Sequence, residues 1–187
     1  MGVWVGAVLA LAACGDDGGG GGDGGSGTGT ASGSPTGTAT GTATGSGGMG
    51  AGGMAACEVP TTTAEVEAFL AGGSYTSFTA ESAPHDSAGP HFGDVRVFVN
   101  DILLGSLQAG GDNHPVCSAA IKELYGDGST VRGHSLSVKV SDGNGGDDWY
   151  WYELYDGSTF ADGVGESLCT GCHGGGDDFV LSPFPLQ

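Results

Sequence analysis

Between residues 15 and 56 the chain is almost wholly Gly, Ser, Thr and Ala, with a little Asp. Such a stretch cannot bury enough apolar surface to offset the entropy of ordering it, so it predicts a disordered, flexible linker. Imperfect Gly-Thr-Ala-Thr repeats run from Thr36 to Thr44, without the strict period that an ordered glycine-rich coil requires. Only Met49 and Met54 offer large apolar groups there. The chain has 187 residues and 41 glycines. Setting aside residues 1–56 leaves about 130, the size of one ordinary domain with a single core.

Ahead of the linker, Val3 to Ala13 forms an apolar run too short to span a bilayer. It reads as a signal-peptide core. Leu11-Ala12-Ala13-Cys14 resembles a bacterial lipobox, which would make Cys14 the lipid-bearing residue and residues 1–14 the lipoprotein signal. No Lys or Arg precedes the run. The expected location is the bacterial cell envelope, facing the periplasm or cell surface. Contact with the membrane would be through the lipid anchor alone.

The formal net charge is −18, from 22 acidic residues against four basic ones. Only Asp16, Asp17 and Asp23 fall in the early stretch, so the acidity belongs to the domain. No basic patch is available to neutralise phosphates, which argues against nucleic acid as a partner. A basic redox partner protein or a small uncharged substrate fits better.

Within the domain, residues 57–187, the chemistry concentrates at Cys169-Thr170-Gly171-Cys172-His173. Cys-x-x-Cys-His is the pattern for covalent attachment of haem c. Two thiols add across two vinyl groups, and the adjacent imidazole reaches the iron; a short loop would set that spacing. Two other readings compete. One is half a zinc site, but no second ligand pair follows. The other is a redox dithiol, which calls for a strand before it and a helix after it; Gly174-Gly175-Gly176 begins no helix well.

Cys57 and Cys117 remain, and in an oxidising compartment they read as a disulfide; the alternative is two buried thiols. Arg96 and Arg132 are the only arginines, each placed either to pair with a haem propionate or to remain a surface charge. Glu123 and Glu153 are the strand carboxylates suited to moving protons beside the iron. His85 and His91 are each a sixth ligand, a proton shuttle or an ordinary loop histidine. No Met follows Met54, so a sixth ligand from the domain would be His or Lys, with water or a vacant position otherwise.

Thr62 with Glu65 matches a capping box for a helix over 64–71, with Val66, Phe69 and Leu70 on one face and Gly72-Gly73 as the stop. Alternation predicts strands at 95–100, 134–140 and 149–155, the last aromatic on both faces. Residues 102–107 read as helix or strand, 118–125 is ambiguous by period, and 142–146 is hairpin-turn material. The expected class is α+β: a mostly antiparallel β-sheet with a few short helices, forming a single haem-binding domain.

Taken in order, these segments resemble the cytochrome P-460 family over roughly residues 85–181. Ile121-Lys122-Glu123-Leu124-Tyr125 is similar to its Val-Lys-Glu strand, and Ser137-Val138-Lys139-Val140 to its second Lys-bearing strand. Asp148-Trp149-Tyr150-Trp151-Tyr152 is similar to its Gly-Trp-aromatic strand, and the haem motif followed by Asp178-Phe179-Val180 to its C-terminal end. The resemblance implies a β-rich mono-haem domain that often dimerises, with His173 as proximal ligand and a distal side open or capped by apolar groups. It implies chemistry on hydroxylamine and nitric oxide. Some family members carry a lysine-to-porphyrin bond, and Lys122 and Lys139 are the only lysines here. Where the family has a Pro-x-Gly turn, this chain has His114-Pro115-Val116-Cys117.

Overall fold

The computed structural model describes residues 57–187. The expected signal segment with Cys14 and the linker at 15–56 lie outside the described residues. Seven strands form one sheet. They are β1 (Thr79–Ala80), β2 (His85–Asp86), β3 (Asp94–Val99), β4 (Ala119–Gly126), β5 (Gly133–Lys139), β6 (Trp149–Tyr155) and β7 (Ser158–Val164). The order is β1-β3-β4-β5-β6-β7, with β2 also pairing to β3, and every pairing is antiparallel. Three short helices complete the fold: α1 (Thr63–Ala71), α2 (Asp101–Gln108) and α3 (Ser167–His173). The mostly antiparallel α+β expectation holds.

Successive strand residues point to opposite faces, so the long strands build two cores. On one face Ile121, Leu136, Val138 and Tyr152 pack with Val66 and Leu70 of α1 and with Tyr75. On the other, Val97, Val99, Trp149 and Trp151 pack with Leu103 of α2 and with Val180. Trp149 and Trp151 lie on one side of β6, Tyr150 and Tyr152 on the other, as aromatic residues on both faces of that strand required.

Several local readings sharpen. Residues 102–107 are helix: the Asn100 side chain accepts from Leu103 N at 3.0 Å and from Ala119 N at 3.0 Å. One N-cap residue thus starts α2 and ties it to β4. The ambiguous 118–125 stretch is the central strand β4. Thr62 is the N-cap of α1, but the capping box is not made; its hydroxyl donates to Glu65 Oε2 at 2.6 Å rather than reaching the backbone. The loop after β5 contains a 3-10 turn, Gly146–Asp148, rather than a tight hairpin. Strand β7 pairs with β6 across Asp156-Gly157, a dipeptide that signals a hairpin. Their φ values of 48° and 76° place both in the left-handed region that a tight two-residue turn requires.

Cys57 and Cys117 form a disulfide with a Cα–Cα distance of 5.2 Å across 60 positions. Cys117 stands at φ 72°, where glycine is the ordinary choice. Cys117 therefore keeps a glycine-like backbone while its side chain anchors the start of the described chain. Converting both cysteines to serine is expected to lower the unfolding free energy by about 2–5 kcal/mol. Urea denaturation of the parent and the double variant under non-reducing conditions measures this.

Candidate functional site: a cleft beside the Cys-x-x-Cys-His helix

Strand β7 leads through Gly165 and Glu166 into α3, which contains the whole motif. The expected loop is thus a short helix; Cys169 N and Thr170 N both donate to Glu166 O, at 3.0 and 2.9 Å. Helical spacing puts Cys169 and Cys172, three residues apart, on the same side. Gly174 closes the helix as its C-cap.

His173 at the end of α3 lines a narrow cleft of about 20 Å³, room for roughly one water. Ala120 and Lys122 of β4, Ser135 and Ser137 of β5 and Trp151 of β6 form the sheet side. Phe179 to Ser182 form the other. His173 Nδ1 lies 2.8 Å from Phe179 O. A carbonyl only accepts, so Nδ1 carries the proton and Nε2 keeps its lone pair. Nε2 makes no hydrogen bond among the described residues. Burial, followed by repulsion from Lys122, pushes the His173 pKa down to about 4. The imidazole is therefore neutral at neutral pH, the form that binds metals.

Around it the fold gathers several of the predicted residues. Trp151 packs edge-on to His173 with ring centroids 4.8 Å apart. Its buried Nε1–H has no acceptor among the described residues. The His91 ring lies 6.1 Å from that of His173, inclined at 75°. His91 Nδ1 pairs with Glu153 Oε2 at 2.8 Å. Lys122 has no hydrogen bond or ion pair among the described residues, and burial lowers its pKa, with Glu153 and Glu81 opposing. Burial, then Glu153 and Glu166, pushes the Cys169 thiol up to about 12.

Other predicted residues lie elsewhere. Glu123 follows Lys122 on β4 and so faces the opposite core. There it accepts from Tyr75 Oη at 2.9 Å and from Tyr125 Oη at 2.5 Å. Arg96 donates to Glu81 O at 2.9 Å, and its guanidinium lies 5.0 Å from the centre of the Phe98 ring, on the same face as Glu123. Arg132 is exposed and bonds Asp156 across the β6–β7 turn. His85 pairs with Glu81 at 3.0 Å.

Lys139 points into the second core but is occupied. Its wholly buried ammonium bonds Asp178, Asn113 Oδ1 and Gly143 O. The Asp178 carboxylate also accepts from His114 N at 2.8 Å and Trp149 Nε1 at 3.2 Å. This clamp had no sequence signal, because it joins positions 39 apart. It holds Asp178 and Phe179 at φ 45° and 65°, two successive left-handed residues that aim Phe179 O at His173. Residues in that region cost roughly 1–3 kcal/mol each and persist only where neighbours enforce them.

His173 alone presents a nitrogen donor of the kind a metal uses. A neutral imidazole with its second nitrogen given to a carbonyl is the usual arrangement of a metal-bound histidine. The orphan Trp151 N–H beside it awaits a polar acceptor. At about 20 Å³ the cleft is far below the ~300–1,000 Å³ of small-molecule sites, so it does not hold a macrocycle unless the Phe179–Ser182 segment opens. Cys172 is disulfide-bonded, so thioether formation requires its prior reduction. Cys169 is a free thiol, so the two motif cysteines are not bonded to each other. A redox dithiol depends on a lowered thiol pKa, and that of Cys169 is raised. Among the described residues no group of three or more His, Cys, Asp or Glu side chains is arranged to hold a metal ion. Compared with protein-family models and with curated proteins, the chain matches none.

Two outcomes test this description. Asp178→Asn leaves the Lys139 ammonium buried without its counter-charge and is expected to cost about 3–5 kcal/mol. The paired change Lys139→Met/Asp178→Leu is expected to recover much of that loss in chemical denaturation. In the unloaded protein, His173 binds its proton less readily folded than unfolded, and burial lowers His114 and His134 in the same direction. The unfolded chain then holds more protons between pH 6.5 and about 4, so stability falls as pH drops through that window. His173→Asn is expected to flatten the fall, read from unfolding free energies across the window.

Proposed function

We propose that the domain is an exported mono-haem c-type cytochrome. Haem c attaches through Cys169 and Cys172, and His173 is the axial ligand. The supporting observation is the state of His173. It is buried and neutral, its Nδ1–H is given to Phe179 O, its Nε2 is unpartnered, and it sits on the helix that carries both cysteines. Zinc-site and redox-dithiol chemistry lack comparable support. The lipobox at Cys14 belongs to the same proposal: a lipid-anchored envelope protein facing the periplasm or cell surface. The acidic surface suits a basic redox partner protein, and two copies pairing as a homodimer is what the P-460 resemblance implies.

Haem c supplies one-electron transfer and an iron that takes small ligands. The chain supplies the rest. His173 fixes one side. Trp151 Nε1–H donates to a polar group in the cleft. The Glu153–His91 pair holds a proton within reach of it. Together with the ordered resemblance of strands β4 to β6, this favours a P-460-like oxidoreductase acting on hydroxylamine or nitric oxide, with Glu153 and Lys122 as the polar residues nearest the chemistry. Lys139 and Glu123 are structural in this reading, and the two arginines serve surfaces away from the cleft.

A second reading is an electron carrier without a substrate. The observation favouring it is a second imidazole nearby: the His91 ring lies 6.1 Å from that of His173.

Production of the full chain with haem-maturation machinery tests the proposal. Intact mass is expected to rise by one haem, and the pyridine haemochrome to be that of a c-type group. Cys169→Ser and Cys172→Ser are each expected to cut covalent haem yield at least tenfold. Colourless exported protein without added mass rules the proposal out. Hydroxylamine-dependent reduction of an acceptor separates the enzyme from the carrier.

A further inference from the structure

We propose that Asn144 is a deamidation site held in check by the Asp148 carboxylate. The inference is independent of the haem reading and uses only the loop between β5 and β6.

Asparagine is a chemically labile residue. It cyclises most readily when glycine follows, because no side chain crowds the attacking backbone nitrogen. Of the three asparagines, only Asn144 precedes glycine. Asn100 and Asn113 are committed elsewhere: Asn100 caps α2, and Asn113 Oδ1 accepts from Lys139 at 2.6 Å. Asn144 is exposed, and its side chain makes no hydrogen bond among the described residues. In the reaction Gly145 N bonds to Asn144 Cγ and closes a five-membered imide. The carboxamide C–N bond breaks, and ammonia leaves with the proton lost from Gly145 N. Water then opens the imide at either carbonyl. One product is an aspartyl residue; the other is an isoaspartyl residue, whose backbone runs through the side chain. No atom changes oxidation state, and each product carries one further negative charge.

The loop is arranged around the group that opposes this. Gly145 N–H donates to Asp148 Oδ2 at 2.9 Å. The Ser141 hydroxyl donates to the other carboxylate oxygen. Those bonds, that from Ser141 first, hold the Asp148 carboxyl below its ordinary range, so it is ionised at neutral pH. A carboxylate is much too weak a base to take an amide proton. It stabilises the N–H instead, and its charge disfavours the negative charge that the attacking nitrogen must acquire. A Cβ on Gly143 would collide with the same carboxylate, so the loop closes tightly round it. Backbone bonds complete the arrangement: Val140 N donates to Asp148 O at 2.8 Å, and Asp148 N to Gly145 O at 3.0 Å. Gly143 O, just ahead of Asn144, accepts from the buried Lys139 ammonium. An isoaspartyl link lengthens the backbone by one methylene beside that acceptor, so chemistry at Asn144 bears on the Lys139–Asp178 clamp.

The test follows the purified full chain at mildly alkaline pH and physiological temperature. Ammonia release, a gain of one mass unit on the peptide carrying Asn144, and enzymatic methylation of isoaspartate are read against time. The folded wild type is expected to deamidate at least tenfold more slowly than the same chain unfolded in urea. Asp148→Ala is expected to remove most of that difference, with the fold checked by circular dichroism. Asp148→Asn keeps an acceptor for the Gly145 N–H without the charge, and its rate is expected to fall between the two. Gly145 has φ −103°, ordinary extended backbone, and a Cβ there would meet Asp148 Oδ2 at 3.4 Å. Gly145→Ala is therefore expected to fold and, added to Asp148→Ala, to bring the rate back to the wild-type level or below. A folded wild type that deamidates as fast as the unfolded chain overturns the proposal. So does a folded Asp148→Ala variant no faster than the wild type, or modification at Asn100 or Asn113 in place of Asn144. Should Asp148→Ala fail to fold, Asp148→Asn carries the comparison, and its failure to speed the reaction overturns the proposal equally.

Discussion

The buried ion pair between Lys139 and Asp178 is the interaction on which the cleft depends. It joins the last residue of β5 to the segment that follows α3. That segment forms one wall of the cleft and provides the carbonyl that sets the His173 tautomer. Two charges removed from water need near-complete compensation. Here the ammonium has three acceptors, and the carboxylate has two N–H donors besides Lys139. With those contacts in place, the left-handed turn at Asp178 and Phe179 can persist and the imidazole is held in one orientation.

The sheet separates two kinds of polar chemistry by its pleat. Lys122 and Glu123 are neighbours in sequence, yet one faces the cleft and the other joins Tyr75 and Tyr125 in the opposite core. A one-residue slip of β4 would exchange them and dismantle both environments. Asn100, which caps α2 and also bonds Ala119 at the start of β4, helps hold that register.

Much of this was legible in the sequence, for identifiable reasons. Period-two alternation marked β3, β5 and β6, because each packs apolar groups on a defined face. The Cys-x-x-Cys-His run singled out residues 169–173, but as a loop rather than the helix α3 that they form. The pairing of Cys57 with Cys117 followed from cysteine count and expected compartment. What escaped was non-local. Nothing near Asp178 announces Lys139, and nothing near His91 announces Glu153 or His173. The roles expected of Arg96, Arg132 and Glu123 depended on which face or turn each would join, and composition is silent on that. Strand β7 carries few apolar residues and lies at the sheet's edge, so the Asp156-Gly157 turn was its one visible sign.

The disulfide has a mechanical meaning. It joins residue 57, where the domain begins, to Cys117, two positions before the central strand β4. A pull on the chain ahead of residue 57 is therefore transmitted straight to the middle of the sheet, and α1 lies off the line of force. The covalent shortcut would let the domain resist shear in its surroundings without its first helix being peeled away.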